Sequence, residues 1–124
     1  MGQTLRIRNS DPILHNIRWR PIQNDIVNFP QSKQGQENTR SFRRPEVMVR
    51  IGCDVHGWME AFAGVLDHPF FAVTGADGSF EIAGLPPGTH VLEAWHEQLG
   101  TVELTVELAA RETKAVEIEF PAKR

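Results

Sequence analysis

Val102-Glu-Leu-Thr-Val-Glu-Leu108 alternates apolar and polar side chains at every step. In an extended chain successive side chains point to opposite faces, so Val102, Leu104, Val106 and Leu108 share one face. That is the pattern of a half-buried antiparallel strand. Downstream, KAVEIEF (114–120) repeats it, most cleanly over Val116–Phe120. Upstream, AFAGVL (61–66), FFAV (70–73), SFEIA (79–83) and THVLEAWH (89–96) read as further short strands. Turn signals separate them, Asp77-Gly78 as a hairpin mark and Leu85-Pro86-Pro87-Gly88 as a second break. No segment keeps helical periodicity beyond a turn or two. The predicted class is all-β, with a sandwich as its architecture.

The first 52 residues have a different texture. Strands are expected at TLRIRN (4–9), Ile13–Trp19 and Val47–Ile51. Between them, Pro21 to Pro45 is rich in Gln, Asn, Ser, Lys and Gly and reads as one long loop. Loops of that length in a compact domain are usually functional or mobile.

Composition bounds the class. The chain has 124 residues, enough for one ordinary domain; 40% are hydrophobic and 23% charged, with 10 Gly and 8 Pro. Collagen-like, disordered and disulfide-scaffold classes are excluded. No apolar run approaches the ~20 residues of a membrane span. Cys53 is the single cysteine, so no intrachain disulfide can form, and it stands as a reactive thiol or a metal ligand. Met1-Gly2 leads directly into strand-like sequence, so a secretory signal is expected to be absent or already removed. The net charge of −3 argues against nucleic acid as a partner. Residues 1–50 carry nine basic and four acidic side chains, whereas residues 51–124 carry four and twelve. Such asymmetry either steers a protein partner or marks two ordinary solvated faces.

The chemistry concentrates in Cys53-Asp-Val-His56-Gly-Trp-Met59, which sets thiolate, imidazole and thioether within seven residues, between two strands. A soft sulfur, a borderline nitrogen and a weak thioether form the ligand set of copper–thiolate electron-transfer sites, which need a second histidine from elsewhere. His15, in Leu14-His15-Asn16-Ile17, is the candidate. A short loop closing on a distant strand holds ligands against movement when the metal changes oxidation state.

Leu14-His15-Asn16-Ile17 followed by Cys53-x-x-His56-x-x-Met59 resembles the cupredoxins, and within them the short-loop amicyanin type. The match covers roughly residues 4–66. The resemblance implies a cupredoxin-like Greek-key β-sandwich with copper held by His15, Cys53 and His56 in the plane and Met59 on the axis. It also implies that the Asn16 side chain ties the two ligand loops together. The implied function is electron transfer to a redox partner protein, without enzymatic turnover, in the periplasm or another extracytoplasmic compartment. The tail carries DG-x-F-x-I and then LPPG, and resembles the carboxypeptidase regulatory-like, transthyretin-type β module, which implies a fold and almost nothing about activity. Only 14 residues precede His15, fewer than a cupredoxin uses there. Residues 1–124 are therefore expected to form a single sandwich, the copper-site segment 1–66 being extended or completed by strands of 67–124. Completion in trans, through a homo-oligomer, is the other route.

Other readings stand beside this one. His68 and His96 are either ordinary surface histidines or accessory ligands, and in the second case the protein would be a copper carrier or store with additional sites. His90 is expected to be exposed. Trp58 is either a packing residue or part of an apolar docking rim. A structural sandwich without metal is a further alternative. Structural zinc prefers more thiolates and rarely uses methionine. A cysteine nucleophile would need a base and an orienting group, and Cys-x-x-His in one tight loop suits a shared metal better. Phosphate loops, paired glycosidase-like carboxylates and aromatic-basic stripes are all missing from the sequence.

Overall fold

Eight strands and no helix make up residues 1–122, the part of this computed structural model that is described. They are β1 (Thr4–Arg8), β2 (His15–Arg20), β3 (Val27–Gln31), β4 (Glu37–Ser41), β5 (Glu46–Cys53), β6 (Glu60–Val65), β7 (Gly88–His96) and β8 (Gly100–Leu108). All pairings are antiparallel, as the alternating sequence requires. The chain divides into two units, Met1–Pro69 and Phe70 onward.

In the first unit β3-β2-β5-β6 form a four-stranded sheet and β1-β4 a two-stranded one. Trp19, Phe42, Val49 and Val65 are the buried centre, with Ile7, Ile17, Val27, Ile51 and Ala63 packed around them. Ile7 comes from β1 and Phe42 follows β4, while Trp19, Val49 and Val65 come from the larger sheet. The two sheets thus share one core, and the unit is a two-layer sandwich. The Trp19 and Phe42 rings stack at 4.3 Å. Truncating a fully buried tryptophan to alanine costs about 3–5 kcal/mol, so this pair dominates the core.

Strand parity explains where the site falls. On β2 the inward row is His15, Ile17, Trp19; on β5 it is Val49, Ile51, Cys53. Ile17 pairs with Cys53, so β2 begins where β5 ends. His15 and Cys53 are the last members of two apolar rows, on the same face and at the same end of the sheet.

Two sequence expectations are corrected here. The stretch from Pro21 to Pro45 is not one long loop, because it contains β3 and β4. Their sequences carry too little alternation to signal strands: VNFPQ offers only Val27 and Phe29, and ENTRS has no apolar residue. β3 accommodates Pro30 because it is an edge strand of its sheet. Conversely, FFAV, SFEIA and Val116–Phe120 join no hydrogen-bonded ladder among the described residues. Phe80, Ile82, Val116, Ile118 and Phe120 are half-buried in alternation with exposed neighbours. Alternation specifies which side of a chain is covered, but a strand also needs a partner in register.

The second unit is built on the β7–β8 hairpin. His90, Leu92 and Ala94 share its half-buried face with Val102, Leu104, Val106 and Leu108. Gly100, at φ +84, opens β8 in a conformation that glycine adopts without strain. Asp77-Gly78 forms a turn but not the expected hairpin: Gly75 N–H donates to the Ser79 carbonyl at 2.9 Å, and Asp77 Oδ1 accepts from Ser79 N and Oγ. It connects no pair of strands.

Candidate metal centre

Three side chains converge at the end of the four-stranded sheet. His15 Nδ1 lies 3.7 Å from Cys53 Sγ, His56 Nδ1 lies 3.7 Å from the same sulfur, and the two nitrogens are 3.2 Å apart. His15 and Cys53 are buried, at 4% and 8% exposure, and His56 is half-buried. Among the described residues, these three form the group able to hold a metal ion.

The triangle has the size of a coordination site. Metal–nitrogen bonds of about 2.0–2.1 Å and metal–thiolate bonds of about 2.3 Å place donors about 3.3–3.8 Å apart in three- or four-coordinate geometry. All three atoms can be lone-pair donors, and one ion fits between them. Two nitrogens and one thiolate match the trigonal set of copper electron-transfer sites. The residues present therefore fit copper.

Hydrogen bonding prepares the donors. Burial pushes the Cys53 thiol up, but the Asn16 amide, His15 and His56 overcome it and lower its pKa to about 6. Asn16 N–H reaches Sγ at 3.4 Å. Hydrogen bonds to Cys53, and next to Asp11, raise the His15 imidazole above its ordinary value. The metal-free site thus favours a thiolate beside a basic imidazole, the state a metal ion exchanges protons to occupy.

Asn16 joins the two ligand segments. Its Nδ2 donates to Asp54 Oδ2 at 3.1 Å and to Asn28 Oδ1, while its carbonyl accepts from Asp54 N–H at 3.0 Å. Arg18 Nη2 reaches the same Asp54 oxygen at 2.9 Å. The residue after the cysteine is therefore held to β2 from three directions.

His56 and Met59 sit in one turn, closed by Met59 N–H donating to the His56 carbonyl at 3.0 Å. Met59 lies near the three donors and is 37% exposed. No family model matches this chain, and no curated protein or solved structure matches it.

The remaining histidines are not members of the group able to hold a metal ion. His68 belongs to the first unit but not to the metal-binding group. His96 belongs to the second unit, where its Nδ1 accepts from Gln98 N–H at 3.0 Å and Leu99 N–H at 3.1 Å. That nitrogen closes the hairpin turn. His90, expected to be exposed, is half-buried, and its Nε2 donates to the Pro86 carbonyl at 2.7 Å. Trp58 is 80% exposed with its ring 5.2 Å from that of His56, so it does not serve as core packing.

Sequence reasoning missed Asp11 and Asn9. Asp11 Oδ2 accepts from His15 Nε2 at 2.7 Å, and the buried Asn9 holds the turn that carries Asp11. Asp11 stands four residues before His15, a spacing that alternating strand geometry does not bring together. The turn at residues 10–14, outside any strand, does so.

Proposed function

We propose that this chain is a cupredoxin-type copper protein that passes one electron between copper and a redox partner protein. The observation that carries the reading is the triangle of His15 Nδ1, Cys53 Sγ and His56 Nδ1, with edges of 3.7, 3.7 and 3.2 Å. Copper, when bound there, would supply reversible one-electron chemistry.

Each residue then has a defined task. Cys53, already favoured as thiolate, provides the strongest donor and the electronic path into β5. His15 is anchored at the start of β2, so the sheet resists a change of site shape. His56, half-buried beside the exposed Trp58, is the edge through which a partner would couple. Met59, near the three donors, would add a weak thioether contact that tunes the potential without determining affinity. None of these tasks requires a substrate or turnover. An extracytoplasmic location and a role in electron transport accompany the reading.

Spectroelectrochemistry of the copper-loaded protein tests it. The charge-transfer colour should bleach and return over repeated one-electron cycles with no loss of metal. Met59→Leu should keep copper and raise the potential, and Met59→Gln should lower it. Copper that is released on reduction would favour a carrier over an electron-transfer protein.

A further inference from the structure

His15 presents Nδ1 toward Cys53 and His56 and Nε2 toward Asp11. The imidazole is almost wholly enclosed, its side chain 5% exposed, whereas the Asp11 side chain is 55% exposed. An ionised carboxylate can only accept, so the 2.7 Å contact requires the proton on His15 Nε2. In the neutral ring Nδ1 is then left with its lone pair facing the other two donors.

Asp11 is itself held in place. Asn9, 2% exposed, accepts the Asp11 N–H on Oδ1 at 2.9 Å. Its Nδ2 donates to the Ile13 carbonyl at 2.9 Å and to the Gln31 carbonyl at 3.0 Å. Its backbone also exchanges bonds with the segment before β4, donating to Gln36 O at 3.0 Å and accepting from Gly35 N at 2.6 Å. A buried side chain with every polar atom satisfied pins the turn from which Asp11 reaches back. A hydrogen bond to a half-exposed carboxylate contributes only about 0.5–1.5 kcal/mol to stability, so direction rather than stability is what this arrangement supplies.

We infer that Asp11, braced by Asn9, is the positioning residue for His15: it fixes the Nε2–H tautomer and places a negative charge that favours Cu(II) over Cu(I). The tautomer half stands on the His15–Asp11 hydrogen-bond geometry alone, and the oxidation-state half rests on the copper reading above. A carboxylate bonded to the far side of a ligand imidazole raises its basicity, and its charge favours the more positive ion.

The test compares wild type with Asp11→Asn and Asp11→Ala. Imidazole nitrogen NMR on the metal-free proteins reads the tautomer; competition titrations with Cu(II) and with Cu(I) read the two affinities. Recorded at a pH above the raised His15 pKa, where the ring is neutral, wild type should show a single Nε2–H tautomer at His15. Asp11→Asn keeps an acceptor without the charge, so it should keep that tautomer while the Cu(II)-to-Cu(I) affinity ratio falls on the order of tenfold. Asp11→Ala should lose the single tautomer and about 10–100-fold in Cu(II) affinity. An unchanged tautomer in Asp11→Ala, or an unchanged affinity ratio in both variants, would overturn the inference. If wild type itself binds no copper, the copper reading falls, and the tautomer measurement still decides the role of Asp11.

Discussion

Cys53 is the residue on which the site turns, and its surroundings make it acidic before any metal arrives. Its pKa of about 6 means that the folded, metal-free protein holds thiolate at neutral pH. A depressed thiol pKa contributes stability that is complete above the ordinary thiol value and is lost as pH falls through the folded one. Ultraviolet thiolate absorbance of the metal-free protein should therefore disappear around pH 6, and His15→Ala should move that midpoint upward. A wild-type midpoint near the ordinary value of about 8.5 would show that the hydrogen bonds to sulfur are ineffective. At this scale much was legible in the sequence. Cys53, His56 and His15 announce themselves by chemical type and spacing. Asp11 and Asn9 did not, because their roles depend on a turn whose path no periodicity encodes.

At the scale of elements, β5 does two jobs, presenting Cys53 at one end and anchoring the chain through Glu46 at the other. The Glu46 carboxylate, 8% exposed, accepts from the amides of Ile22, Gln23 and Asn24 at 2.8, 2.7 and 3.1 Å. Asn24 Nδ2 adds a fourth bond at 3.2 Å. Burial pushes this carboxyl up, but the four donors prevail and hold it below its ordinary range. The linked stability is complete above the ordinary carboxyl pKa and is lost as pH falls through the lower folded value. Denaturant titrations should show Glu46→Gln destabilised by about 1–2 kcal/mol at neutral pH. The gap from wild type should close in acid, as pH falls from the ordinary carboxyl value through the lower folded one. A gap independent of pH would mean that the charge is immaterial. Elements also show where sequence reading fails. β8 was plain because one face is apolar, whereas β3 and β4 are polar or edge strands whose pairing comes from their neighbours. Val116–Phe120 has the opposite character, with alternating burial and no ladder partner among the described residues.

For the whole molecule, the all-β class followed directly from turn spacing and alternation, because those patterns are local. The division at Pro69 did not, since it depends on which apolar faces meet. Residues 1–69 contain the two sheets of the sandwich, the Trp19–Phe42 core and all three donors. A chain ending at Pro69 is accordingly expected to unfold cooperatively and to keep its metal site. Failure of that chain to fold would favour the alternative, in which residues 67–124 complete the sandwich. The central claim, that the triad is a copper site built on a thiolate, is tested most directly by titrating Cu(II) into the metal-free full-length protein and into Cys53→Ser while recording the visible spectrum. Wild type should take up one equivalent and develop an intense thiolate-to-copper band, and Cys53→Ser should show no such band while keeping the β-sheet circular dichroism. Failure of the band to appear in wild type, or its persistence in Cys53→Ser, would contradict the claim.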